Sequence, residues 1–519
     1  MAILDIFNLD HISNAKMNDP AKKLVVDSLA SNSKGLKKDS SRKLSVLFLS
    51  ADTGGGHRAS AEALARQFEL QYPGSTYNLL DVISDYGHPP YKNIVKDYKH
   101  LSSHPHQWNF IYNLTNTSTM EWTFEMHFKI FSEVSIRHRI KSFAPDVVIS
   151  VHPLMNDVPS LSCQKISNET STHLPFFTVV TDLGSAHLYW FSAAKGLANE
   201  SRAEKIFIAS DQIKQIATNR GNKSVSAEKI VQVGLPIRHD FGIESELLGD
   251  RMSHEGKLYQ SSMREKLHVA PDFKTVLVMG GGEGVGSLSN IVDELYMKLD
   301  ELQMNATILV ICGRNEKLKA DLQDRNWSEM KKKQKKDKKN DFLKFIEQVK
   351  SFCLFKPAFK VAADVTKNEP QEVETEGGDA KTKSHTVKIV PLGFVTNMAE
   401  YMVAADILVS KAGPGTIAEA AALSLPIMLT SFLPGQEEGN VSFVENHNCG
   451  AFISDEKPME IAEKVGEWLC NHDQLTALSN AAKAAGNPNA AAEIVKFIGD
   501  STLRWKEVKE NAFVESTLG

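Results

Sequence analysis

KAGPGTIAEAAALSLPIMLTSFLPGQ, residues 411–436, is the stretch that decides the fold of this chain. The apolar run DILVS at 406–410 predicts a strand, and the Gly-Pro-Gly turn at 413–415 joins it to a predicted helix. We predict that the helix starts at Thr416, where backbone N–H groups and the helix dipole favour a phosphate. Glu419 follows one turn later, where its carboxylate would accept hydrogen bonds from two sugar hydroxyls. A nucleotide-sugar therefore suits this stretch better than a bare nucleotide.

Two polar residues follow the next predicted strand, residues 426–430. Gln436 and Asn440 are four positions apart, so they share one face if this part of the chain is helical. They would extend the donor site from the phosphate towards the sugar.

Composition argues against a nucleic-acid-binding protein and leaves enzyme and scaffold open. The chain has 519 residues, a formal net charge of −5 and a hydrophobic fraction of 42%, so it has no global basic field. Its length predicts at least two domains. The five cysteines are scattered without metal spacing, which predicts reduced thiols and no metal site. Since no apolar run reaches the ~18 residues of a membrane-spanning helix, we expect any contact with lipid at the membrane surface.

Two strand–loop–helix units predict an α/β protein with two Rossmann-like, doubly wound domains facing each other across a cleft. The first unit has an apolar run at 44–50 and the loop ADTGGGH at 51–57. The second has TVLVM at 275–279 and GGGEGVGS at 280–287. This second loop resembles a dinucleotide fingerprint, but the acidic residue expected after the next strand is missing, so a pyrophosphate or sugar contact is favoured.

The predicted boundaries follow from these units and from shifts in composition. They are a disordered tail at 1–43, a first domain at 44–240, a linker at 241–273, a second domain at 274–500 with an insertion at 316–388, and a tail at 501–519.

Three candidate residues lie at predicted strand ends of the first domain. His57 begins a helix after three glycines, and the helix dipole there would keep its imidazole neutral and able to accept a proton. Asp182 ends another strand, and His187 and three aromatic residues follow it. Asp182 and His187 would orient a hydroxyl acceptor and the aromatic residues would cover an acyl chain; the alternative is that Asp182 caps a turn and the aromatic residues belong to the core. Arg238, in GLPIR, would bind a phosphate, or alternatively form a surface ion pair.

The 84–142 segment interrupts the first domain with aromatic and basic residues. Rings that enter the headgroup layer, together with Lys and Arg attracted to anionic lipid, would dock the chain on a membrane. The alternative is that the aromatic residues fill the core. The seven lysines at 331–339 predict a solvated loop, with attraction to anionic lipid as the alternative.

Seven motifs together resemble the monogalactosyldiacylglycerol synthase family, glycosyltransferases of family 28 related to the bacterial murein N-acetylglucosaminyltransferases. They are DTGGGHRAS (52–60), PDVVISVHP (145–153), VTDL (180–183), VGLPIR (233–238), LGFVTNM (392–398), KAGPGTIAEA (411–420) and PGQEEGN (434–440). The resemblance covers residues 44–500 apart from the insertion.

This resemblance implies a GT-B fold and an inverting enzyme without a metal or a tightly bound cofactor. The enzyme would transfer galactose from UDP-galactose to the sn-3 hydroxyl of 1,2-diacylglycerol, giving monogalactosyldiacylglycerol and UDP. A diacylglycerol β-glucosyltransferase that uses UDP-glucose is the nearest alternative. A non-catalytic UDP-sugar-binding protein is another, but it would need neither His57 nor Asp182.

The residues expected to act in the reaction combine strand-end positions with family motifs. His57 is the predicted base, with Asp182 as its orienter or substitute. The resemblance and the strand ends together assign lipid contact to Pro89, His187 and Trp190, with Pro89 at the position that the family associates with anionic-lipid activation. The expected UDP-sugar contacts are Gly55, Gly56, His57, Arg238, Gly281, Gly282, Phe394, Val395, Thr396, Asn397, Met398, Gly413, Pro414, Gly415, Thr416, Ile417, Glu419, Gln436 and Asn440.

The expected partner is a membrane surface that carries diacylglycerol and anionic lipid, namely phosphatidic acid or phosphatidylglycerol. Nucleic acid is not expected, and a homodimer is left open. By resemblance, the location would be the plastid (chloroplast) envelope membrane, with the protein bound peripherally.

Overall fold

Two six-stranded parallel sheets form the frame of the protein. They are seen in a computed structural model that describes residues 42–51, 55–89, 91–102, 104–194, 202–219, 224–280, 288–330, 343–344, 346 and 385–518. Gly281, Gly282, the lysines at 331–339, most of the insertion and residues 1–41 of the predicted tail lie outside the described residues.

The first sheet contains β1 (Ser45–Leu49), β2 (Thr76–Leu80), β3 (Val147–Ser150), β4 (Phe176–Val179), β5 (Ile206–Ile208) and β6 (Ile230–Gln232). The second contains β7 (Lys274–Met279), β8 (Ala306–Ile311), β9 (Val387–Leu392), β10 (Ile407–Ser410), β11 (Ile427–Leu429) and β12 (Gly450–Phe452).

The helices of the first half are α1 (Gly55–Gln71), α2 (Val82–Tyr86), α3 (Ile94–Ser102), α4 (Pro105–Thr115), α5 (Ser118–Phe131), α6 (Glu133–Phe143), α7 (Asp157–Thr170) and α8 (Asp211–Thr218). Those of the second half are α9 (His239–Leu248), α10 (His254–Lys266), α11 (Leu288–Glu301), α12 (Glu316–Asp324), α13 (Met398–Ala404), α14 (Pro414–Ala422), α15 (Glu438–Asn446), α16 (Pro458–Cys470), α17 (His472–Ala485) and α18 (Ala490–Leu518). Short 3₁₀ turns occupy Tyr91–Asn93, Pro153–Met155, Leu188–Ala194 and Ala227–Lys229.

The strand orders confirm the predicted pair of doubly wound sheets. The first sheet runs β2-β1-β3-β4-β5-β6 and the second runs β12-β11-β10-β7-β8-β9, with every neighbouring pair parallel. The winding direction reverses between β1 and β3 and again between β7 and β10. Ligands of such sheets bind outside the carboxyl ends of the strands at these reversals, where the start of α1 and the 411–436 stretch lie.

Each sheet is buried on both faces, which explains why the strands appear as continuous apolar runs. Leu47 and Leu49 of β1 pack into one core cluster, whereas Val46 and Phe48 pack into another on the opposite face. Side chains alternate along a strand, so a single apolar run fills both clusters.

The predicted linker at 241–273 consists mainly of α9 and α10, which pack on the second domain. Arg251 is buried and donates to the carbonyls of Met402 and Leu423 at 2.9 and 2.8 Å. Arg264 donates to the Asp406 carboxylate at 2.8 Å. These side chains satisfy backbone carbonyls and a buried carboxylate that would otherwise lack partners, so the segment is part of the second domain rather than a free connection.

The predicted C-terminal boundary is also different, because α18 crosses back to the first domain. Ile494 and Ile498 pack in the same cluster as Val46 and Phe48. Tyr72, directly after α1, donates through its hydroxyl to the Asp500 carboxylate at 2.8 Å. The helix continues to Leu518 through the segment that was predicted as a tail.

The described strands further include β12, which sequence analysis missed, and α14 begins at Pro414 rather than Thr416.

Replacing Ile494 by alanine should weaken the attachment of α18. The side chain is fully buried against the first sheet, so Ile494→Ala should lower the free energy of unfolding by about 2–5 kcal/mol. Val508→Ala on the same helix, where the side chain is 59% exposed, should change it by less than about 0.5 kcal/mol. Urea unfolding followed by circular dichroism measures both variants; equal effects would contradict the packing of α18 described above.

Candidate active site

The carboxyl end of β10 leads into a turn that exposes helix amides. Gly413 precedes α14, Pro414 is its first residue, and a Cβ placed on Gly415 would meet no atom within 4 Å. The first N–H groups of a helix have no intrahelical acceptor, so those around the half-buried Thr416 can donate to a phosphate that enters this open space. Ile417 differs from the expected contact, because its side chain is fully buried and its N–H bonds the Gly413 carbonyl at 3.1 Å.

Arg238 and Glu419, predicted as two separate donor contacts, bind each other across the two halves of the chain. The Arg238 Nε and Nη2 atoms donate to Glu419 Oε1 at 3.1 and 2.8 Å. Burial raises the pKa of Glu419, and the neighbouring Arg238 partly opposes this rise. Without a ligand the two side chains form one ion pair at α14, and their contacts with phosphate and sugar stay predictions.

Lys411 and Glu437 are charged residues of this edge that the motif analysis did not select. Lys411 Nζ donates to Glu437 Oε1 at 2.5 Å, and the Leu433 N–H donates to Oε2 at 2.9 Å. A Cβ placed on Gly413 would lie 3.7 Å from Lys411 Nζ, so the ammonium lies beside the first turn of α14. A lysine placed directly after a buried strand and before a Gly-Pro-Gly turn was the available sequence signal.

Residues 394–398, after β9, divide between solvent and core. Phe394 is 66% exposed and Thr396 is also exposed, as a ligand contact requires. The Asn397 amide donates to Glu400 at 2.9 Å. The side chains of Val395 and Met398 pack with the core of the second domain, so only their backbone remains for the predicted contact with UDP.

His57 lies buried behind the glycine turn of the first domain. Gly55 and Gly56 begin α1 with open space where a Cβ would stand. The His57 Nδ1 atom shares a hydrogen bond of 2.7 Å with the Thr181 hydroxyl, and the ring also hydrogen-bonds the backbone of Val151. Burial lowers the pKa of His57 to about 4. The imidazole is neutral as expected, but the cause is desolvation rather than the helix dipole.

Asp182 follows β4 and is nearly as buried as His57, at 9% exposure. Burial raises the pKa of Asp182 to about 7; the hydrogen bond from Trp190 Nε1 lowers it and the negative charge of Glu437 raises it further. The Trp190 Nε1 atom donates to Asp182 Oδ2 at 2.5 Å. Asp182 therefore changes its ionisation near neutral pH at the junction of the two domains.

The two domains meet directly beside Asp182. A Cβ placed on Gly439 would lie 2.3 Å from the Gly184 carbonyl group, so the two backbones touch. Asn440 accepts from the Gly184 N–H at 2.9 Å and donates to the Ala412 carbonyl at 2.9 Å. Asn440 thus joins the domains rather than presenting a free amide. It belongs to α15, whereas Gln436 precedes that helix, so the expected shared helix face does not form.

Comparison with known proteins agrees with this architecture. Residues 57–237 match the monogalactosyldiacylglycerol (MGDG) synthase family, and residues 340–494 match the glycosyltransferase family 28 C-terminal domain. A probable monogalactosyldiacylglycerol synthase 2, named chloroplastic, from Oryza sativa subsp. indica is 31% identical over 462 residues, which are 87% of this chain and 80% of that protein. The chain belongs to the MGDG synthase family.

A further relative and one solved structure are also similar to this chain. The monogalactosyldiacylglycerol synthase 1 of Arabidopsis thaliana, also named chloroplastic, is 30% identical over 89% of this chain and 71% of that protein. MurG of Acinetobacter baumannii aligns over 88% of this chain and 99% of its own, with 14% identity and a TM-score of 0.47. Family membership confirms the predicted glycosyltransferase of galactolipid synthesis.

The lipid contacts predicted for this MGDG synthase-family chain are only partly exposed. Trp190 is fully buried, so it supports Asp182 instead of meeting an acyl chain. His187 is partly buried, with its ring 5.3 Å from the Tyr112 ring and its Nε2 atom 3.3 Å from the Thr115 hydroxyl. Pro89 is exposed in the turn after α2.

The 84–142 segment combines core and surface aromatic residues. Tyr112, Phe124 and Phe128 are buried, as the alternative interpretation predicted. Several large apolar side chains nevertheless face solvent, as docking requires; these are Phe110, Leu114, Trp122, Ile130, Phe131 and Val134. Some basic residues of the segment are ion-paired, Lys129 with Asp157 and both Arg137 and Lys141 with Glu169.

The part of the chain that the structure describes contains no group of three or more His, Cys, Asp or Glu residues that could hold a metal ion. Among its helices, none combines the length and hydrophobicity needed to cross a bilayer.

Removing the charge of Lys411 should weaken the binding of UDP. The ammonium lies beside the α14 amides, and a hydrogen bond to a charged group contributes about 1.5–3 kcal/mol, so Lys411→Ala should lower the affinity for UDP roughly 10- to 150-fold. Lys464→Ala is the matched control, because Lys464 is also ion-paired in the second domain, to Glu467 at 2.9 Å. Isothermal titration calorimetry compares the two, and equal affinities would remove Lys411 from the donor site.

Proposed function

We propose that this chain transfers galactose from UDP-galactose to the sn-3 hydroxyl of 1,2-diacylglycerol, with inversion at the anomeric carbon. The observation that carries the proposal is a buried carboxyl group, Asp182, that ionises near neutral pH where the first domain meets the phosphate seat of α14. In-line glycosyl transfer requires a base on one side and stabilisation of a leaving phosphate on the other. The names of the relatives support galactose as the sugar and diacylglycerol as the acceptor.

In the proposed reaction, ionised Asp182 takes the proton of the glycerol hydroxyl while the oxygen of that hydroxyl attacks C1 of galactose. The new C1–O bond forms on the face opposite UDP, and the bond between C1 and the phosphate oxygen breaks. Negative charge then develops on the diphosphate, where the α14 amides and the Lys411 ammonium stabilise it. Arg238 adds a permanent positive charge at the same edge when its guanidinium turns from Glu419 to phosphate.

His57 acts as a positioning residue in this proposal rather than as the base. A histidine with a pKa of about 4 is a weak base at neutral pH, and its ring is engaged by Thr181 and by the Val151 backbone. Its ring centroid lies 5.9 Å from that of Trp190, which in turn donates to Asp182. We therefore assign the role of base to Asp182 and the positioning role to His57, which reverses the roles predicted from the sequence.

Gln436 and Glu437 are the residues that we assign to the sugar hydroxyls. The Gln436 Oε1 atom is buried and has no hydrogen-bond partner among the residues that the structure describes. A buried acceptor without a donor costs free energy, and a sugar hydroxyl would supply the missing donor. Glu437 is near enough to raise the pKa of Asp182, which supports a role for it on the acceptor side of the same sugar.

The acceptor does not leave the bilayer, so we propose that the exposed apolar residues of α4, α5 and α6 dock the enzyme peripherally on a membrane. Phe110 and Trp122 are 67% and 60% exposed, and such rings enter the headgroup layer. Lys92, Lys96 and Arg139 are exposed and would attract phosphatidic acid or phosphatidylglycerol. The chloroplastic names of the relatives favour the plastid envelope as this membrane.

Product analysis tests the proposed function. Purified protein is incubated with vesicles of diacylglycerol and phosphatidylglycerol and with either UDP-galactose or UDP-glucose, and the lipids are identified by mass spectrometry with glycosidic-linkage analysis. We expect a β-linked monogalactosyldiacylglycerol. A glucolipid formed at a higher rate would reassign the donor, and UDP binding without any lipid product would indicate a non-catalytic protein.

The pH dependence of turnover distinguishes the two candidate bases. Only ionised Asp182 accepts a proton, so kcat/KM should rise about tenfold per pH unit below about pH 7 and level off above it. Asp182→Asn should lower kcat about 10²- to 10⁴-fold. If His57 with its pKa of about 4 were the base, the profile would instead be flat from about pH 5 to pH 8.

Removing exposed rings should weaken membrane binding without affecting the donor site. Trp122→Ala combined with Phe131→Ala should reduce binding to phosphatidylglycerol vesicles by about tenfold or more, since each ring loses its burial in the interface. Trp505→Ala is the control, because Trp505 is 40% exposed on α18, away from the segment. Sedimentation of the double variant equal to that of the control would show that another surface meets the membrane.

A further inference from the structure

A row of aromatic side chains on α3 and α4 runs towards the second domain; both helices belong to the 84–142 segment, which we name the lipid-facing segment. The Tyr98 and Trp108 rings are 5.0 Å apart, and the Trp108 and Tyr112 rings are 6.0 Å apart. The row meets residues 433–440, which we name the donor loop because they include the proposed sugar contacts. The membrane-facing and sugar-binding parts of the enzyme are therefore in direct contact.

Tyr112 packs on the backbone of the donor loop. It is only 7% exposed, and a Cβ placed on Gly435 would lie 2.7 Å from the Tyr112 Cδ1 atom. Gly435 also has a φ of +76°, a left-handed conformation that favours glycine. Ring and loop therefore fit only with glycine at this position, and a movement of Tyr112 changes the space that the loop can occupy.

Tyr98 contacts the next residue of the loop through its hydroxyl group. The Gln436 side chain hydrogen-bonds Tyr98. Burial raises the pKa of Tyr98 to about 12. On the other side, the Ser185 hydroxyl donates to the Gln436 carbonyl at 2.5 Å. Gln436 is thus held by the lipid-facing segment through its side chain and by the first domain through its backbone.

We propose that Tyr98 and Tyr112 are positioning residues that hold the donor loop in its sugar-binding arrangement, so that membrane docking and donor binding are energetically coupled. The inference rests on the donor site proposed above. Its physical basis is the geometry of α4, which carries Tyr112 against the loop and exposes Phe110 and Leu114, 67% and 44% respectively. A helix turn is rigid, so immobilising its apolar residues in a membrane also fixes the ring that supports the loop.

Coupling of this kind is reciprocal by thermodynamic necessity. If docking raises the affinity for UDP-galactose by some factor, then UDP-galactose raises the affinity for the membrane by the same factor. The effect can therefore be measured on vesicles of phosphatidylglycerol and phosphatidylcholine that lack diacylglycerol, where no turnover occurs.

The test compares binding to these vesicles with and without saturating UDP-galactose. We expect the wild-type affinity for vesicles to rise about fivefold or more with the donor. Tyr112→Ala should abolish this rise while keeping the vesicle affinity without donor within about twofold, whereas Tyr112→Phe, which retains the ring, should behave as wild type. Tyr98→Phe removes only the hydroxyl that bonds Gln436 and should reduce the rise; it serves as the second variant if Tyr112→Ala does not fold.

Two results would each overturn the inference: a wild-type vesicle affinity that does not respond to the donor, or a response that survives in both Tyr112→Ala and Tyr98→Phe. Failure of the donor site itself has a different signature, namely wild-type affinity for UDP in Lys411→Ala. If UDP affinity depends on Lys411 but no coupling is measured, the donor site stands and the coupling is wrong.

Discussion

The return of α18 from the second domain to the outer face of the first sheet is the contact on which the arrangement of the two domains depends. The chain crosses between the domains twice, and the crossings lie side by side, with the Asn487 amide donating to the Val233 carbonyl at 2.9 Å. Gly234 has a φ of +132°, and a Cβ there would lie 3.2 Å from the Ala490 Cβ. Burial of Ile494 and its neighbours cannot be undone without exposing apolar surface to water. The two sheets are therefore held with their carboxyl ends towards each other.

Burial determines the acid–base chemistry of the site, because His57 and Asp182 are both only 9% exposed. Desolvation favours the neutral form of any titratable group, so it moves acids and bases in opposite directions. The pKa of His57 falls to about 4 and that of Asp182 rises to about 7. The same burial thus makes the histidine a weak base and raises the pKa of the carboxyl group to the range in which proton transfer at neutral pH is efficient. The same shift costs stability: as the pH rises from about 4 towards about 7, Asp182 ionises in the unfolded chain but not yet in the folded one, so the free energy of unfolding falls over this range and levels off above it.

The fold and the position of the site follow from local sequence patterns, whereas the roles of individual residues do not. An apolar run predicts a buried parallel strand, and the Gly-Pro-Gly turn predicts the start of α14. Both signals lie within a few consecutive residues. Strand β12 was missed because two of its three residues, in GAF, are glycine and alanine, which have low strand propensity.

Pairings between distant residues carry no such signal. Arg238 and Glu419 are 181 positions apart, and each alone fits a ligand contact as well as an ion pair. From the sequence alone, Trp190 and Trp122 are equally good candidates for a lipid contact, but Trp190 lies in the core and Trp122 faces solvent. Only the packing of the 3₁₀ turn Leu188–Ala194 under α5 and α7 decides between them, and a single sequence contains no record of that packing.

The place of the lipid-facing segment in the topology explains why it reaches the active site at all. It connects β2, at the edge of the first sheet, to β3, on the far side of β1. A parallel connection leaves from the carboxyl end of one strand and must return to the amino end of the next. Helices α2 to α5 therefore begin at the ligand-binding edge, beside the loop that carries His57, and α6 leads back to the start of β3. The helices that leave this edge also contact the second domain, since Tyr112 packs against the backbone of Gly435, and this contact joins the lipid-facing segment to the donor loop.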